Sequence, residues 1–256
     1  MRANLMLGLA MAILVSSATA FAGREHRPTY VLVHGGFHGG WAWQEVAARL
    51  RESGAVVYTP TLTGLGDRAH MAQPNVGLGV HVQDIVAMLE FEDLRDVILV
   101  GHSYSGMVIT GVAAAVPGRV KSLVYCDAAI PESGQSFFDA IAFPGSLPPG
   151  MTMLEPFSPQ FFGVTDPAQI AFVGARLRPQ PLASFQEPLS FNWEALANIS
   201  KVYIHCAGEW SDKASFLPFR AKAQARSWTY FEVAAGHDVM ITAPQELSSI
   251  LLRLRR

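Results

Sequence analysis

The chain has 256 residues, 50% hydrophobic and 16% charged, which is enough to bury a large core in one domain of α/β size. A formal net charge of −2 and a pI near 6.4 exclude the concentrated basic character that nucleic acid or an anionic membrane requires. Two cysteines, Cys126 and Cys206, are too few for a disulfide framework.

At the start, Arg2 precedes an apolar run over residues 5–15, and small residues lead through Ala20 and Ala22 to Gly23. This pattern predicts a signal peptide over residues 1–22, and the run falls short of the roughly 20 apolar residues that span a bilayer. An uncleaved anchor is the alternative. The mature chain, residues 23–256, is expected to be exported, periplasmic or secreted, with no membrane-spanning segment.

From residue 30 onward, strand and helix patterns alternate. Strands are predicted over 30–33, 55–58, 97–100, 122–126, 201–206 and 228–233. Helices are predicted over 43–51, 80–90, 104–115, 218–225 and 244–254. That order implies an α/β fold with a mostly parallel sheet and helices on both faces. Between about 131 and 195 the alternation lapses into prolines interspersed with Phe137, Phe138, Phe143, Phe157, Phe161 and Phe162. So apolar a stretch reads as a small helical cap over the sheet edge, lining an apolar pocket. Arg253 and the arginines after it read as the solvated end of the last helix, where positive charge complements the helix dipole. Cys126 and Cys206 end two strands expected to be neighbours and are expected to be buried free thiols.

The strand at 97–100 runs into Gly101-His102-Ser103-Tyr104-Ser105-Gly106. A serine on a tight strand-to-helix turn needs small neighbours two residues either side, and Gly101 and Ser105 supply them, although the second glycine of G-x-S-x-G is here a serine. Ser103 is the candidate nucleophile. His237 follows the last strand, at the carboxyl edge of the sheet where open α/β folds put their ligands, and is the candidate base. The glycine-rich turn Val33-His34-Gly35-Gly36-Phe37 lets backbone N–H groups approach a substrate oxygen, so the amides of Gly36 and Tyr104 are the expected oxyanion donors. His34 and His38, four apart in a loop without a supporting carboxylate, do not form a metal site. No metal or other cofactor is implied.

These motifs resemble those of the α/β-hydrolase superfamily, and within it the chain is similar to the plant methylesterase and hydroxynitrile lyase group and to its bacterial esterase-like members. The similar segments are residues 31–43, 61–68, 99–106 and the ending Gly236-His237 with Met240, Pro244 and Leu247. The resemblance implies an α/β-hydrolase fold and a serine esterase acting on a small molecule. The group's cyanohydrin lyases carry threonine and lysine where this chain has Gly35 and Asp238, which disfavours lyase chemistry. The group's usual acid falls near Glu209, with Asp212 three residues on, whereas some α/β-hydrolases place it where Asp127 ends the preceding strand. Asp127 is preferred as better preorganised, with Glu209 and Asp212 as rivals. The resulting expectation is a carboxylic ester hydrolase with a Ser-His-acid triad, cleaving a small hydrophobic or aromatic ester. The aromatic cap and the region of Trp41 and Trp43 point to that substrate. A ligand-binding receptor of the same fold is the alternative.

Overall fold

Short β-branched runs that alternate with amphipathic helices can bury both faces of a sheet only if the strands run parallel and the helices cover each side. The computed structural model, which describes residues 27–143 and 145–254, has that arrangement. The signal peptide expected over residues 1–22 lies outside the described residues, as do Arg255 and Arg256.

In chain order the elements are β1 (Thr29–Val33), α1 (Gln44–Glu52), β2 (Val56–Tyr58), α2 (Leu78–Phe91), β3 (Val97–His102), α3 (Ser105–Ala115) and β4 (Val120–Cys126). After them come α4 (Phe137–Ala140), β5 (Met153–Leu154), α5 (Pro167–Gly174), β6 (Gln180–Pro181) and α6 (Ala183–Gln186). The chain closes with β7 (Ser200–Cys206), α7 (Lys213–Ala225), β8 (Thr229–Val233), α8 (Val239–Thr242) and α9 (Pro244–Arg253). Six strands form one sheet in the order β2-β1-β3-β4-β7-β8, and each neighbouring pair is parallel. β5 and β6 form a separate antiparallel pair.

The strand period of two divides the core. Val31, Val33, Leu99, Tyr125 and Tyr203 face α2, α3 and α7, while Tyr30, Leu32, Ile98, Val100 and Ile204 face α1, α8 and α9. Among the described residues no helix is long and apolar enough to cross a membrane.

Most element bounds shift by one or two residues from the sequence reading, and two of the differences have a structural consequence. β3 continues through Gly101 to His102, in register with Tyr125 and Cys126 of β4, so the strand delivers Ser103 directly to the sheet rim. α7 starts at Lys213, with Pro218 inside it. The carbonyl that Pro218 leaves unbonded belongs to Ala214, an exposed residue, so the lost hydrogen bond falls on the solvent side of the helix.

The turn after β3 packs against the turn after β4 so closely that a Cβ at Gly106 would lie 2.0 Å from the Ala129 carbonyl oxygen. Gly106→Ala is therefore expected to destabilise the fold by about 1–3 kcal/mol. Urea unfolding checks this, and a variant as stable as its parent would mean that the two turns are not in contact.

Candidate active site

Ser103 has φ 55°, in the left-handed region that costs a non-glycine residue strain. Three backbone hydrogen bonds hold it there. Its N–H donates to the Cys126 carbonyl at 3.3 Å, and its own carbonyl accepts from Gly106 and Ala129, each at 3.1 Å. The serine that stands for the second glycine of the motif has a visible purpose: the buried Ser105 hydroxyl donates to the His34 carbonyl, tying the helix after Ser103 to the loop after β1.

Asp127, directly after β4, is likewise left-handed at φ 42°, and its N–H donates to the Ile204 carbonyl at 2.7 Å. This turns the carboxylate toward the loop after β8, where His237 Nδ1 donates to Asp127 Oδ2 at 2.7 Å with both side chains buried. The other oxygen accepts the Cys206 N–H at 3.2 Å and faces His205 Nδ1 at 3.4 Å. Burial pushes the Asp127 carboxyl up, but the facing His205 imidazole, the His237 ring with its hydrogen bond, and the Cys206 N–H outweigh it and hold it at about 2. The rival carboxylates are engaged with other partners. Glu209 has a side chain 92% exposed and pairs with Lys213 at 3.1 Å, and Asp212 accepts from the Ser215 hydroxyl at 2.6 Å. The His237 ring is packed between aromatics, stacked on Trp210 at 4.2 Å between centroids and edge-on to Phe216 at 4.8 Å.

The loop after β1 is held plane by plane. The Leu62 N–H donates to His34 Nε2 at 3.1 Å, so the proton of His34 sits on Nδ1 and donates to the Gly35 carbonyl at 2.8 Å. Burial pushes His34 down to about 3, which keeps it neutral. Fixing that carbonyl aims the N–H at the other end of the same peptide, that of Gly36. On the far side, His38 Nδ1 donates to the Gly36 carbonyl at 2.6 Å and the Phe37 N–H donates to Gln180 Oε1 at 2.8 Å. Tyr104 is anchored by its phenol, which donates to His81 Nδ1 at 2.9 Å while His81 Nε2 donates to the Thr63 carbonyl. Among the described residues, neither the Gly36 nor the Tyr104 N–H has a hydrogen-bond partner.

Gly36, Ser103, Tyr104 and His237 line one cavity of about 220 Å³. Its remaining wall is aromatic and aliphatic, chiefly Phe37, Phe137, Phe138, Phe162, Phe185 and Trp210, with Asp212 and Ser215 as the other polar members. The segment between β4 and β7 supplies many of these rings. Trp41 and Trp43, which the sequence reading assigned to the substrate region, do not line it. Trp43 is buried in the core beneath α1, and Trp41 stacks on His38 at 5.4 Å.

Several residues at the site carried no signal in the sequence. His38 does have a supporting carboxylate, contrary to the reading of its loop: Asp238, 200 positions away, accepts from Nε2 at 3.0 Å. His102 Nε2 donates to the His237 carbonyl at 2.9 Å, joining the Ser103 turn to the His237 loop, and burial pushes its imidazole down to about 3. Gln180 and His205 also reach the site from segments with no recognisable motif. The two cysteines are buried free thiols. Cys126 lies opposite Ile204, not Cys206, across the β4–β7 pair. No group of three or more His, Cys, Asp or Glu residues suited to a metal ion occurs among the described residues.

Comparison with known proteins agrees with this architecture. Residues 30–250 match the family described as the alpha/beta hydrolase family. A carbendazim hydrolyzing esterase from Nocardioides sp. (strain SG-4G) is 39% identical over 243 residues, 88% of this chain and 98% of that protein. Methylesterase 9 from Arabidopsis thaliana is 25% identical over 250 residues, 88% of this chain and 97% of its own. Among solved structures, an extracellular alpha/beta-hydrolase from a Paenibacillus species superposes with a TM-score of 0.74 at 25% identity, covering 90% of this chain and 99% of that one. With the family match spanning most of its length, the chain belongs to the alpha/beta hydrolase family and is related to the methylesterase group.

Proposed function

We propose that this protein is a serine esterase that cleaves small aromatic or otherwise hydrophobic esters through an acyl-enzyme on Ser103. The observation that carries this reading is the 2.7 Å bond from His237 Nδ1 to Asp127, made at the wall of the cavity that Ser103 also lines. With Nδ1 donating, the lone pair of His237 sits on Nε2, where it accepts the Ser103 proton. The serine oxygen then attacks the ester carbonyl, and the Gly36 and Tyr104 amides receive the developing oxyanion, each such donor being worth roughly 3 kcal/mol. His237 protonates the departing alcohol, Asp127 stabilises the imidazolium, and water repeats the cycle on the acyl-enzyme.

The aromatic cavity wall supports an apolar acyl or alcohol group, and the esterase names of the Nocardioides and Arabidopsis relatives support the reaction class. Lyase chemistry fits poorly. A Cβ at Gly35 would lie 2.6 Å from His102 Nδ1 and 3.0 Å from Ser103 Cβ, which leaves no room for a threonine, and Asp238 is an anion engaged with His38. Export belongs to the same proposal, on the signal-peptide pattern of residues 1–22 alone.

A fluorophosphonate should label Ser103, seen as a mass shift on its peptide, and Ser103→Ala should lose both labelling and at least about a thousandfold in p-nitrophenyl ester turnover. Wild-type protein that binds aromatic esters without labelling or turnover would replace this reading with a receptor. Asp127→Asn is expected to lower kcat by about 10³–10⁴-fold, while Glu209→Gln stays within about twofold of wild type; the reverse order would reassign the acid. Stability carries a separate signature. Because the folded-state value of Asp127 is depressed to about 2, its ionisation contributes stability that is fully present above about pH 4 and is lost as the pH falls through the folded value. The stability gap between wild type and Asp127→Asn, read from urea melts, should shrink as the pH falls below about 4.

A further inference from the structure

An imidazole whose two ring nitrogens both face acceptors satisfies them only by carrying two protons. His38 is so placed, with Nδ1 2.6 Å from the Gly36 carbonyl and Nε2 3.0 Å from Asp238 Oδ2. Its neighbour His34 differs, because a backbone N–H points at one of its nitrogens. The side chains of His38 and Asp238 are 1% and 0% exposed, and Asp238 Oδ1 is buried with no hydrogen-bond partner among the described residues. A carboxylate so poorly solvated is tolerable in the interior only beside a full positive charge.

We propose that His38 is a buried imidazolium whose pair with Asp238 is a positioning device, locking the loop that carries the Gly36 amide to the loop that carries His237. One of its bonds ends on the Gly36 carbonyl and the other on the residue directly after His237. Neither His38 nor Asp238 lines the substrate cavity, so the pair acts through its neighbours. The groups facing His38 are Asp238 from the start of α8, His102 from the end of β3 at 6.3 Å between ring centroids, His34 from its own loop, and the rings of Trp41 and Phe162. Only Asp238 among them is anionic. Burial favours the neutral form of His38, but the charge and hydrogen bond of Asp238 outweigh it and raise His38 above the ordinary imidazole value. Asp238 is lowered by the same partner, again against burial.

The effect on turnover rests on the ester hydrolysis proposed above, whereas the protonation state does not, so the two are measured separately. In full-length protein labelled with ¹⁵N-histidine, long-range ¹H–¹⁵N spectra at about pH 7.5, a unit above the ordinary imidazole value, should show His38 with both ring nitrogens protonated. His38→Gln identifies the signal, and Asp238→Asn should convert it to a neutral ring. A wild-type His38 with one bare nitrogen would overturn the proposal, since the proton would then sit on Asp238 in a neutral pair. On p-nitrophenyl acetate, Asp238→Asn is expected to lower kcat about tenfold or more with KM nearly unchanged, and to move the alkaline fall of kcat to lower pH. An imidazolium signal together with unaltered kcat and pH profile in a folded Asp238→Asn would refute the positioning role. Wild type that does not hydrolyse esters would instead refute the reaction class and leave the spectra to decide the pair. Should Asp238→Asn not fold, the wild-type spectrum alone decides the charge and Asp238→Glu replaces it in the kinetics. Recovery of wild-type kcat without an imidazolium signal overturns the proposal.

Discussion

The arrangement of the site depends on one hydrogen bond, from His237 Nδ1 to Asp127 Oδ2 at 2.7 Å. Its two ends come from different strands of the sheet, β4 and β8, separated by β7. A left-handed Asp127 makes the meeting possible, because an extended residue there would carry the side chain on along the strand rather than toward the neighbouring loop. The depressed carboxyl follows from this geometry. Donors on both oxygens overcome the desolvation that would otherwise neutralise a buried acid.

Around that bond the carboxyl rim of the sheet is a web of buried histidines whose states are set by their partners. His34 accepts from a backbone N–H and is neutral. His102 spends its proton on the His237 carbonyl and is neutral. His81 donates to a carbonyl and accepts from a phenol. His38 alone among these four has acceptors on both sides. The four rings join the loop after β1, the Ser103 turn and the His237 loop without any one of them having to supply catalysis. Such a web orders three loops at once, and preorganised dipoles at a site cost no rearrangement when charge develops there.

Apolar packing complements this polar web. The rings that line the cavity are contributed largely by the segment between β4 and β7, whose secondary structure consists of short pieces pinned by specific bonds. One of those bonds reaches the site: Gln180 accepts the Phe37 N–H and donates to the Ser184 hydroxyl. The segment over the cavity is thereby coupled to the loop that carries the Gly36 amide.

The amino-acid order alone was sufficient for the strand and helix succession, the strand-to-helix turn at Ser103 and the carboxyl-edge positions of His237 and Gly36. Those features arise from local periodicity and from steric needs of neighbouring residues, which are written within a few positions of each other. The partners of His38, His102 and His237 were a different matter. Asp238 lies 200 positions from His38, and Asp127 lies 110 from His237. Its place at the end of a strand favoured Asp127 over Glu209 and Asp212 without excluding either, and nothing local marked Gln180 and His205 at all. Which carboxylate meets which imidazole was decided by the order of strands across the sheet and the left-handed turns at their ends, because hydrogen bonds respond to distances of about 3 Å in space and not to separation along the chain.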